Sequence, residues 1–224
     1  MNYTMVRRLI LKDWYLQRWI ILGSIPLGLG SLALILTGSK VAFLLSIILL
    51  CIVLIGVGAQ LAMATTVNER REQTLAFIMS LPVSWREYTA AKILANLLIF
   101  LIPWLALTLA ALGFLLFVPG MPHGFVPFTA IMSVEMLITT CLIIAAGVIT
   151  ESQVWASIAI TFSSLGLNGF GYVFAHMRGI SPEMWGTQVH WTSTASTILL
   201  AEFLVCALLL GLTFFVQSRK TDFL

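Results

Sequence analysis

The sequence is short of charge. Only 9% of its residues are Asp, Glu, Lys or Arg, against about a quarter in a soluble domain, while 60% are hydrophobic. A chain so composed cannot dress a water-facing surface, which excludes a soluble globular protein and leaves an integral membrane protein. Cysteine is scarce too: Cys51, Cys141 and Cys206 each lie inside an apolar run with no C-x-x-C pair, so they read as small packing residues. The histidines, His123, His176 and His190, all fall outside the predicted spans, and no H-E-x-x-H occurs. That argues against a metal-dependent intramembrane protease. No G-x-x-x-x-G-K-[ST] occurs either, so the chain cannot cradle nucleotide phosphates in that way. The net charge of +3 gives no support to a nucleic-acid partner, because basic residues in a membrane protein mainly report topology.

What is present is long apolar runs. At about 20 apolar residues per crossing, 224 residues allow roughly six spans with short connections. They are expected at 19–37, 41–67, 93–118, 128–150, 152–171 and 193–216. Residues 1–18 mix Arg7, Arg8, Lys12 and Arg18 with Trp14, Tyr15 and leucines, the pattern of an interfacial helix; a plain extension of the first span is the alternative. No A-x-A site follows the first run, so it is expected to be a retained span and not a leader. Gly23, Gly28 and Gly30 in span one, and Gly56 and Gly58 in span two, offer close-packing faces. Span five is expected to lose definition across Gly166, Asn168, Gly169 and Gly171. Ser181-Pro182-Glu183 reads as the start of a short helix.

Basic residues set the orientation. With the N-terminus inside, Arg7, Arg8, Lys12, Arg18, Arg70, Arg71, Arg86, Lys92, Arg219 and Lys220 are cytoplasmic and only Lys40 and Arg178 lie outside. Both termini are therefore expected in the cytoplasm and the protein in the cell membrane.

The longest charged interruption, 68–92, has a readable grammar. Ser84-Trp85-Arg86-Glu87 is a capping box, flanked by Val83 and Tyr88 at the staple positions, so a helix starts at Ser84 and runs into span three. Pro82 disfavours helix at Leu81 and closes whatever precedes it. The piece before it, 69–80, is too short to be a stable helix in water and needs a surface to dock on. An ordinary interfacial loop is the competing reading.

Six spans, a basic N-terminal segment and Glu69-Arg70-Arg71-Glu72-x-Thr74-Leu75, then Ser80-Leu81-Pro82-Val83-Ser84-x-Arg86-Glu87 and Lys92, resemble the membrane subunits of type-2 ABC transporters. The likeness implies an all-α membrane protein with six transmembrane helices, an N-terminal interfacial helix and a cytoplasmic coupling helix between spans two and three. It implies that Glu69, Arg70, Arg71, Glu72, Leu75, Ile78, Leu81 and Pro82 meet a separate ATP-binding-cassette subunit. ATP and magnesium would then be bound there, with no cofactor or metal in this chain. A second permease copy, identical or paralogous, completes such an assembly within membrane lipid. The implied function is export of a lipid, peptide or drug-like substrate, and the chain itself is not an enzyme. A non-transporting mechanical or immunity subunit of the same architecture is the alternative, and an intramembrane enzyme a weaker one.

Two carboxylates interrupt the spans. Glu135 and Glu202 each lie about 10–15 Å from the outer end of their helices at 1.5 Å per residue, so they are expected at one depth. Ionisable groups in a span are costly and are functional candidates for that reason, here for the translocation path. Local hydrogen bonds to Thr139 and Thr140, or to Ser196, would be the structural explanation. Met121, Met177 and Met184 join the outer histidines, but their spacings match no metal-ligand motif.

Overall fold

The computed structural model describes residues 3–71, 84–177 and 184–219, which are helical apart from turns and short connections. The helices are α1 (Tyr3–Ala33), α2 (Lys40–Ala62), α3 (Asn68–Arg71), α4 (Trp85–Phe117), α5 (Phe125–Thr150), α6 (Gln153–Ala175) and α7 (Ser193–Ser218). Six of the helical runs are long and apolar enough to cross a membrane. Helix is what lipid demands, because a backbone in hydrocarbon must satisfy its own N–H and C=O groups.

The central element is α5. Over its most apolar stretch 78% of residues are buried, against 17–33% in the other five. It packs on α2, α4, α6 and α7, while α1 lies along α4 and α2. The interior holds Leu54, Leu61, Ile99, Phe100, Leu107 and Met136. Apolar residues such as Leu27, Ile52, Leu109, Phe162 and Leu204 remain on the outside, as lipid-facing residues do. Close packing, more than water exclusion, holds such helices together. Gly28 illustrates it, since a Cβ there would fall 2.5 Å from Leu107 Cδ2; at Gly58 it would fall 2.9 Å from Thr140 Oγ1. Gly23, Gly30 and Gly56 have open space around them instead, so only one glycine of each expected face makes a close approach.

Two expectations change. Residues 3–18 do not form a separate helix: Tyr3–Ala33 is continuous, so the alternative holds and the segment extends span one, anchored by Val6 and Leu9 against Tyr88 and Ala91. Span five keeps its helix through all three glycines to Ala175; a Cβ added at Gly166 or Gly169 would meet nothing within 4 Å, and Asn168 turns its amide back to Ser164 O at 2.7 Å. The helix expected from Ser181-Pro182-Glu183 lies outside the described residues, and 184–192 is irregular.

Span two is as long as expected. After α2 the chain makes a π-helical turn, Met63–Val67, before α3. Gly38, at φ 69°, closes the turn between α1 and α2. The capping box also forms: Ser84 N donates to Glu87 Oε2 at 3.0 Å, and Glu87 N donates to Ser84 Oγ at 3.4 Å.

Candidate functional site

Where α3 leaves span two and α4 leads into span three, the structure gathers a buried ionic cluster. The capping box starts α4 in register so that Tyr88 and Lys92, four residues apart and hence on one face, both point towards α1 and α3. The Lys92 ammonium donates to Asp13 Oδ2 at 2.8 Å and lies 2.8 Å from Glu69 Oε1. The Tyr88 hydroxyl donates to Glu69 Oε2 at 3.0 Å. Lys12 also pairs with Glu69 and sits 3.3 Å from Asp13 Oδ1. Lys92 and Asp13 are each 1% exposed.

Removing these ions from water costs several kcal/mol apiece, recovered only where geometry and further hydrogen bonds are good. Both conditions hold here. Burial would push the Glu69 carboxyl up, yet Lys92 and then Lys12 outweigh it and hold the group below the ordinary carboxylate value.

The cluster extends into the bundle. Asn96, one turn beyond Lys92, donates to Lys92 O at 3.0 Å. Its Oδ1 lies 2.8 Å from Thr65 Oγ1, within the π-helical turn, a feature frequent at functional sites. At the same end, Gln217 of α7 donates to Glu151 Oε1 at 3.1 Å, and Leu210 of α7 packs against Ile93 of α4 and Val148 of α5. Helices α1, α3, α4 and α7 and the α5–α6 turn thus meet at one polar end.

Residues 8–223 match the family described as ABC-2 family transporter protein. The chain belongs to the ABC-2 transporter family. Six apolar helices and this membership make it a multi-pass membrane permease subunit, in a family whose members are transport subunits and generally not catalytic. No curated protein and no solved structure matches it.

In this ABC-2 permease the expected partner-contact residues fall into three groups. Glu69 is described and faces inward, 8% exposed, in the cluster. Arg70 and Arg71 close α3. Glu72, Leu75, Ile78, Leu81 and Pro82 lie outside the described residues.

Glu135 stands on α5 and Glu202 on α7, two helices that pack directly on each other. Two of the three suggested hydroxyls are engaged elsewhere: Thr140 donates to Met136 O, and Ser196 accepts from Trp191 Nε1 and donates to Thr192 O. Glu202 is 5% exposed, and both its carboxyl oxygens are buried without a hydrogen-bond partner among the described residues. Cys206 lies one turn beyond Glu202 on α7, and Cys141 is buried on α5. Among the described residues no three of His, Cys, Asp and Glu are grouped to hold a metal ion.

The sequence reading passed over Asp13, Tyr88 and Lys92 as members of a site. Lys92 counted towards topology and as the end of the family motif, and Tyr88 only as a staple. The available signal was the i, i+4 spacing of Tyr88 and Lys92 after a capping box, with an acid and a base adjacent at positions 12 and 13.

Proposed function

We propose that this chain is the membrane-spanning subunit of an ATP-driven exporter, and that residues 68–92 receive the motion of a separate nucleotide-binding subunit. The observation that carries the reading is the ionic cluster. It ties the residue at which the segment departs, Glu69, to the residues at which it returns, Tyr88 and Lys92, and ties both to Asp13 and Lys12. A push on 72–83 then reaches α1, α2 and α4 together instead of bending a loose loop. Arg70, Arg71, Glu72, Leu75, Ile78, Leu81 and Pro82 form the contact with the partner, while Glu69 roots it. The partner binds ATP and magnesium, and a second permease copy supplies the other half of the pathway.

Along the sequence, ten of the twelve basic residues fall in the N-terminal segment, in 68–92 and in the C-terminal tail, which supports a cytoplasmic placement for the polar end and for both termini. We assign Glu135 and Glu202 to the translocation path, since a buried unpartnered carboxyl in a span is retained against a substantial cost. Lipids, amphipathic peptides and drug-like molecules are the substrate classes that suit an apolar bundle of this kind.

The test is co-purification of the permease with its nucleotide-binding subunit, followed by ATPase assay in proteoliposomes. Leu75→Asp, and charge reversal at Arg71 or Glu72, should abolish capture or coupling while the permease alone melts as wild type. Intact capture with full coupling in all three would reject the assignment, and coupled ATPase without transport of any substrate would favour the mechanical role.

A further inference from the structure

We propose that the end of the bundle opposite the ionic cluster carries a binding site for an anionic phospholipid. A cavity of about 560 Å³ opens there between the α1–α2 turn, the loop after α4 and the segment before α7. Volumes of this size hold small ligands. Its floor is apolar, formed by Ile35, Phe43 and Leu116. Phe43 and Phe125 meet edge to face at 5.2 Å, and Phe125 and Trp185 at 4.9 Å, which fixes the wall.

Lys40 stands at the rim. Its ammonium lies 5.9 Å from the centre of the Trp185 ring, and no carboxylate pairs with it among the described residues. The described connections at this end, 34–40, 117–124, 176–177 and 184–192, contain no Asp or Glu. Phe117, 84% exposed, continues the cavity onto the lipid-facing surface.

A cation with no carboxylate partner among the described residues, over an apolar cradle and beside a tryptophan, a residue type enriched at membrane interfaces, complements a phosphate joined to acyl chains. The pairing of a basic side chain between transmembrane helices with an anionic headgroup is the same chemistry that holds such lipids at cytoplasmic pockets. The phosphate would pair with Lys40, and the first acyl carbons would lie along Leu116 and Phe117. This site is independent of the partner subunit and of which leaflet the end occupies.

Native mass spectrometry of the full chain, delipidated and re-exposed to phosphatidylglycerol or phosphatidylcholine, tests the proposal. Wild type should retain phosphatidylglycerol in preference to phosphatidylcholine. Lys40→Gln should lower that retention about fivefold, the worth of one lysine at a charged surface, and Lys40→Arg should restore it. Trp185→Ala should also lower it, at an unchanged melting temperature. Equal retention of the two lipids, no loss in Lys40→Gln, displacement by millimolar inorganic phosphate alone, or occlusion of the site by a second copy of the chain would each overturn it.

Discussion

Lys92 donates to Asp13 across 79 positions of sequence, at 2.8 Å, with both side chains almost wholly buried. The pair joins α1 to α4 and shares its lysine with Glu69, so three helices depend on one ammonium. Lys92→Met removes the buried cation that Asp13 and Glu69 share, and should cost about 3–5 kcal/mol. Adding Glu69→Gln should recover part of that loss, because it removes a buried charge left without its main partner. Thermal unfolding in detergent of the single and double variants measures both effects.

The ionic cluster also sets an acid limit. The Glu69 carboxyl is held below its ordinary value in the folded protein, so the stability it contributes is present above the unfolded-state value and is lost as pH falls through the folded one. Melting temperature should therefore drop on acidification below the usual carboxylate range. In Glu69→Gln the wild-type stability should be reduced at neutral pH and this part of the acid dependence should flatten. An acid profile identical in slope to wild type would show that Glu69 is not the titrating group.

Ser84→Ala removes one half of the capping box and should cost about 1 kcal/mol locally. Hydrogen exchange should speed up in the first turn of α4 and leave its lipid-embedded part unchanged. Glu87→Ala should do the same from the other side, because each side chain satisfies the other's backbone N–H.

Glu202→Leu separates function from stability. Its carboxyl oxygens have no hydrogen-bond partner among the described residues, so replacing them with an apolar group of similar size should leave the melting temperature equal or higher. Export should nonetheless fall, and Glu135→Gln should reduce it as well. Normal transport by both variants at wild-type expression would remove these residues from the translocation path.

The number and type of elements were legible because lipid allows few alternatives: an apolar run of about 20 residues is a helix whatever its propensities. That same rule carried α6 through Gly166, Gly169 and Gly171, where soluble-protein expectations for glycine predicted fraying. Ser84 and Glu87 were legible because a capping box lies within four residues of sequence. Asp13 with Lys92 was not, since a contact across 79 positions depends on how α1 packs against α4, and α1 looked like two pieces until Tyr3–Ala33 proved continuous. Glu69 was recognised as important, but its direction was not, because a surface contact and a buried ion pair present the same residue type in the same motif.

The most direct test of the coupling role is substrate-stimulated ATPase activity of the reconstituted complex carrying Lys92→Met, with partner capture measured on the same sample. We predict that the partner still binds and that stimulated turnover falls at least about tenfold, equivalent to roughly 1.4 kcal/mol of coupling. Full stimulation with the partner bound would contradict the claim that this cluster transmits the partner's motion to the spans.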